Sequence, residues 1–181
     1  MPIKLFLSYC HRDEKHRERL GIHLASLKQQ GRIAEWHDRK IVAGQDWAEQ
    51  INDNLLTADI ILLLITADFI ASDYCYSREL QVALEREKRS EAVVIPIVVK
   101  PCDWKGTPFG YLQALPRDPR AVTKSPNRED AWAKVAEGIR GAVEALKQPP
   151  ATVQTSVSPA GRKPPVADPR GELGRGFGCV V

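Results

Sequence analysis

The chain has little of what covalent, metal or membrane chemistry needs. Its cysteines, Cys10, Cys75, Cys102 and Cys179, stand far apart with no C-x-x-C pair, which argues against a zinc site and a disulfide framework. Reduced thiols in a cytoplasmic protein are the expectation. The histidines, His11, His16, His23 and His37, show no metal-ligand spacing, and no metal is expected. His16 and His23 lie seven apart on one helix, the first expected exposed and the second half-buried. Long apolar runs are missing: Ile60 to Ile65 falls far short of a membrane span of about 20 residues, and no signal peptide is read ahead of the first strand. Charge of one sign is missing too, and a formal net charge of +3 does not announce nucleic acid. The first strand is followed by SYCHRDE, which is neither the Gly-rich turn of a dehydrogenase nor the acidic cluster of a phospho-acceptor. Gly174, Gly176 and Gly178 imitate a dinucleotide fingerprint, but no strand precedes them and no helix follows.

What is present is globular. With 43% hydrophobic and 27% charged residues in 181, the chain has room for one domain of about 100 to 150 residues and an appendage. Ile3 to Ser8 reads as a buried strand delivering a polar loop. Leu20, Leu24 and Leu27 share a helix face that Gly31 stops, and Ile33 to Trp36 forms a second strand. Trp47, Ile51 and Leu55 recur every four residues as a helix, and Asp59 to Ile65 is apolar on both faces, as a central parallel strand should be. Ser72 or Asp73 is expected to cap the next helix, with Tyr76, Leu80, Ala83 and Leu84 facing the core. Val93 to Val99 is a fourth strand whose Pro96 places it at an edge or a bulge. Lys100 to Lys124 is Pro- and Gly-rich, pinned by Trp104, Phe109, Tyr111 and Leu112, with at most a short strand at Ala121 to Thr123. Asn127 caps a last helix with a stripe of Trp132, Val135, Ile139, Val143 and Leu146.

This alternation predicts an α/β fold, a flavodoxin-like, doubly wound, five-stranded parallel sheet of order 2-1-3-4-5 with helices on both faces. The domain spans residues 1–148, and residues 149–181, rich in Pro, Gly, Ser and Thr, form a disordered tail or linker.

Ligands of such sheets bind at the carboxyl ends of strands. Three segments converge there: Ser8 to Glu14, His37 to Asp46, and Thr66 to Cys75. Just behind the third lies Glu79. The residues three and four positions from it, Cys75, Tyr76, Val82 and Ala83, are uncharged, so the carboxylate lacks a local ion-pair partner. Glu85, by contrast, has Lys88 and Arg89 at those spacings and reads as a solvated helix acid. Taken alone, an isolated acid is more often structural than catalytic.

The three segments carry a resemblance. FLSYCHRDE from Phe6, WHDRKIVAGQDW from Trp36 and SDYCYSREL from Ser72 resemble the first box, the second box with its BB loop, and the glutamate-bearing helix segment of bacterial TIR (Toll/interleukin-1 receptor homology) domains. The likeness covers about residues 3 to 147. Many members carry Trp four residues before the glutamate; here Tyr74 and Cys75 precede Glu79 by five and four.

The resemblance implies an NAD+ glycohydrolase, cleaving the nicotinamide–ribose bond to give ADP-ribose or a cyclic isomer, in bacterial defence or stress signalling. The alternative it allows is a non-catalytic TIR–TIR interaction module. Glu79 would be the catalytic residue. Nicotinamide leaves a pyridinium cation as a neutral group and needs little acid catalysis, while a carboxylate stabilises the oxocarbenium-like ribose. Tyr9, Trp47 and Tyr74 would stack on the rings, Arg12, Arg39 and Lys40 would meet the diphosphate, and Ser8 and Cys75 complete the substrate-lining positions. No cofactor is implied, since NAD+ is the substrate. The implied partner is a second TIR domain, engaged through the loop from His37 to Asp46.

Overall fold

The computed structural model describes residues 1–36, 53–72, 78–117 and 120–147, excluding the side chains of Glu35, Trp36, Arg78 and Glu79. All of these lie in one compact unit, Met1–Pro149. Strand β1 (Ile3–Ser8) leads through a 3-10 turn at His11–Asp13 into α1 (Glu14–His23), α2 (Ala25–Gln29) and β2 (Ile33–Trp36). Residues 53–57 are helical. They precede β3 (Ile60–Ile65), α3 (Ala67–Ala71), α4 (Arg78–Lys88), β4 (Val93–Val98), a 3-10 turn at Val122–Lys124 and α5 (Arg128–Lys147).

The strands are parallel, in the order β2-β1-β3-β4. All six residues of β3 are buried, because this central strand is covered on both faces. Side-chain alternation then sorts the core. Leu5 and Leu7 of β1, Leu62 and Leu64 of β3, and Ile95 and Ile97 of β4 pack with Leu20, Leu24 and Leu27 and with Trp132, Val135, Ile139 and Val143 of α5. Phe6, Ile61, Leu63 and Ile65 face the other way, onto Leu55, Phe69, Leu80, Ala83, Leu84 and Phe109.

Local signals act as the sequence predicts at two helix ends. Gly31 has φ +62°, a left-handed stop that spares a side chain the strain of that conformation. Asn127 Oδ1 accepts from the Glu129 and Asp130 N–H groups at 3.1 and 3.2 Å, capping α5. Leu146, assigned to the apolar stripe of this helix, is exposed, since the last turn runs past the sheet's cover.

Among the described residues the sheet has four strands, not the expected five. Where a fifth would lie, Leu115 alone forms a parallel bridge to Ile97. Its N–H donates to the Pro96 carbonyl and its carbonyl accepts from Val98 N–H, each at 2.8 Å. The N–H and C=O of one strand residue point to the same side, so the donor missing at Pro96 belongs to the outer edge of β4. Its absence costs no bond to β3, and it thins the ladder that a fifth strand would need. The short strand considered at Ala121 to Thr123 is instead the 3-10 turn, tied to β4 by Thr123 N–H on the Val99 carbonyl at 3.0 Å.

The segment leaving β3 also differs from expectation. Thr66 caps the extra helix α3, its Oγ1 accepting from Phe69 N–H at 3.0 Å, and Ser72 closes that helix by donating to the Phe69 carbonyl at 2.6 Å. Ser72 is thus the C-cap of α3 and not the N-cap of α4, which begins at Arg78. The expected cap Asp73 and the stripe residues Tyr76, Trp47 and Ile51 lie outside the described residues, as does the tail 149–181.

Candidate functional site at the carboxyl edge

β1, β3 and β4 each end in a short polar segment on one edge of the sheet, because their apolar runs stop there and the chain must leave the core. Ser8, the last residue of β1, is 5% exposed and its Oγ has no hydrogen-bond partner among the described residues. Alternation sets it on the same face as Phe6, the side packed by α3 and α4. A buried hydroxyl left without a partner costs about 1–3 kcal/mol, a cost that a ligand's polar group would relieve. Tyr9, the next residue, packs against the opposite core cluster and donates its hydroxyl to Glu14 Oε2 at 2.7 Å. Ser8 and Tyr9 are therefore placed on two sides of the sheet.

Asp13, on this edge, is fully buried. Thr66 Oγ1 donates to its Oδ2 and Lys100 Nζ to its Oδ1, both at 2.6 Å. Lys100 Nζ also lies 3.4 Å from Asp68 Oδ2, and Asp68 Oδ1 receives the exposed Arg12 guanidinium at 3.2 Å. The Asp13 contact raises the Lys100 pKa above the usual lysine value, while Arg12 and then Lys100 hold the Asp68 carboxyl below the usual carboxylate range. Arg12, expected to meet a diphosphate, is here paired with Asp68. Asp13, Thr66, Asp68 and Lys100 were not singled out from sequence. Their only signal there is position, each being among the first polar residues after an apolar run, and Asp13 passes for an ordinary acid at a helix start.

Glu79 is the second residue of α4, in the first turn, where free N–H groups and the helix dipole favour a carboxylate. Its position falls on the i, i+4, i+7 ridge with Ala83 and Arg86. Both of these are buried, and Arg86 Nη1 donates to the Leu55 carbonyl at 2.5 Å. Arg86 thereby ties α4 to the helical residues 53–57. The remaining candidates, Arg39, Lys40, Trp47, Tyr74 and Cys75, and the whole loop from His37 to Asp46, lie outside the described residues.

Two alternatives to carboxylate chemistry find no support among the described residues. No group of three or more His, Cys, Asp or Glu could hold a metal ion. The Cys102 thiol is pushed up by burial and then by the Asp103 charge, away from the reactive thiolate. His16, expected exposed, is half-buried against Trp132 with its Nε2 unpartnered, and it sits on α1, on the other side of the sheet from α4. No described helix is long and apolar enough to cross a membrane.

Known proteins agree with this architecture. An uncharacterized protein, y4lF, of Sinorhizobium fredii is 46% identical over 169 residues, covering 91% of this chain and 52% of the relative. The chain thus spans about half the length of the curated relative it matches. The TIR domain of the Toll-related receptor TRR-2 of Hydra magnipapillata shares the fold with a TM-score of 0.54 at 20% identity, covering 75% of this chain and 97% of that one. The TIR domain family model matches residues 5–136, from β1 into α5, and the chain belongs to that family.

Proposed function

We propose that this TIR domain is an NAD+ glycohydrolase. The feature that supports the reading is Glu79 as the second residue of α4, the helix that follows β3 and α3 from the carboxyl edge of the sheet. The buried, unpartnered Ser8 hydroxyl on the same sheet face supports it. Glu79 stabilises the cation that develops on ribose as nicotinamide departs, and it accepts hydrogen bonds from the ribose hydroxyls. Ser8 offers a hydrogen bond to the substrate, and Arg12, with Arg39 and Lys40, meets the diphosphate. Trp47, Tyr74 and Cys75 line the site, and Tyr9 joins them only after leaving Glu14. The product is ADP-ribose or a cyclic isomer, and the setting is bacterial defence or stress signalling. Assembly through the loop from His37 to Asp46 completes the site.

Purified protein at rising concentration should release nicotinamide from NAD+. Glu79→Ala should abolish this while circular dichroism stays native; equal turnover in the variant would sink the assignment. Self-association without turnover at any concentration would point instead to the interaction module.

A further inference from the structure

We propose that Lys100 is a positioning residue for the site, acting through Asp13 and Thr66 on the segment that leads to Glu79. The link to turnover rests on the glycohydrolase reading; the positioning itself does not. The bonds form one chain across three strand ends. Lys100, beyond β4, donates to Asp13 at 2.6 Å; Asp13, beyond β1, accepts from Thr66 at 2.6 Å; Thr66, beyond β3, accepts from Phe69 N–H at 3.0 Å. Both Asp13 oxygens are thereby used, one by a cation and one by a hydroxyl, so the buried carboxylate is neutralised and hydrogen-bonded.

α3 is the element this network holds. Its cap is Thr66, its Asp68 is reached by both Lys100 and Arg12, and its Phe69 packs edge-on against Phe109 with ring centroids 6.4 Å apart. α3 ends at Ala71, seven residues before Arg78 of α4, and its Phe69 shares a core cluster with Leu80, Ala83 and Leu84 of that helix. Lys100 is one-third exposed and Asp13 not at all. Removing the ammonium leaves an uncompensated buried acid that must take up a proton or pull away from Thr66. Either response alters the same cap.

Hydrogen–deuterium exchange on Lys100→Met, Lys100→Arg and Thr66→Val tests this. Protection of residues 66–72 and 78–84 should fall at least tenfold in Lys100→Met and Thr66→Val and return in Lys100→Arg, while α5 stays protected. Unchanged exchange in those two stretches, or equal loss in α5, overturns the proposal. Under turnover, Lys100→Met should lower kcat at least tenfold with KM within twofold, and Lys100→Arg should recover most of it; wild-type kcat in Lys100→Met also overturns it. A wild-type protein without turnover counts against the glycohydrolase reading alone, and exchange then decides the positioning role.

Discussion

At the residue scale, two buried polar groups show how differently a fold treats side chains that look alike in sequence. Asp13 has both carboxylate oxygens engaged, by Thr66 and Lys100, whereas the Ser8 hydroxyl has no partner among the described residues. Thr66→Val should cost about 1–3 kcal/mol in denaturant unfolding, since it keeps the shape and removes both the bond to Asp13 and the cap of α3. Thr66→Ser should recover part of that. His16 supplies a pH signature. Burial lowers its pKa from 6.5, outweighing the Asp13 charge that raises it, with Lys100, Lys15 and Arg128 adding to the decrease. The folded state therefore binds the proton less readily than the unfolded chain. The stability is present above about pH 6.5 and is lost as pH falls below it. His16→Gln should shrink the drop in melting temperature between pH 7.5 and 5.5; equal drops in both proteins would refute the assignment.

At the element scale, α5 holds two glycines with opposite expected behaviour. A Cβ on Gly138 would stand 2.6 Å from Leu115 Cδ2, but one on Gly141 would meet nothing within 4 Å. Gly138→Ala forces the residue that bridges β4 to shift, at about 1–3 kcal/mol, and the gain in helix propensity offsets only part of this. Gly141→Ala keeps the propensity gain of about 0.5–1 kcal/mol. Thermal melts of the two variants should move in opposite directions from wild type. The same helix packs its N-terminal half on α1, where Glu129 receives both Arg19 and His23. Such exposed pairs are worth little to stability. The buried stripe from Trp132 to Val143 is what holds α5 in place.

At the scale of the whole molecule, the sheet places chemistry on one edge and packing everywhere else. Charged groups at that edge are balanced among themselves: Asp13 and Asp68 against Lys100 and Arg12. If the site is completed by a second copy, specific activity should rise with protein concentration before levelling, and Gly44→Asp should move that rise to higher concentration in parallel with its effect in size-exclusion and scattering runs. Flat specific activity would separate turnover from assembly.

The sequence alone determined the succession of the four observed strands, the two-sided burial of β3, the stop at Gly31 and the cap at Asn127, because each follows from a period or a local backbone requirement. It also marked the first box, the second box and the Ser72 to Leu80 segment that carries Glu79. The four-strand outcome needed the side to which Pro96 turns its missing donor, a matter of register that composition does not carry. The Asp13–Thr66–Lys100 network joins residues 53 and 87 positions apart. No local pattern reports such a contact, and only the tertiary structure decided it: three strand ends, brought to one edge, leave a buried carboxylate that must find a hydroxyl and a cation.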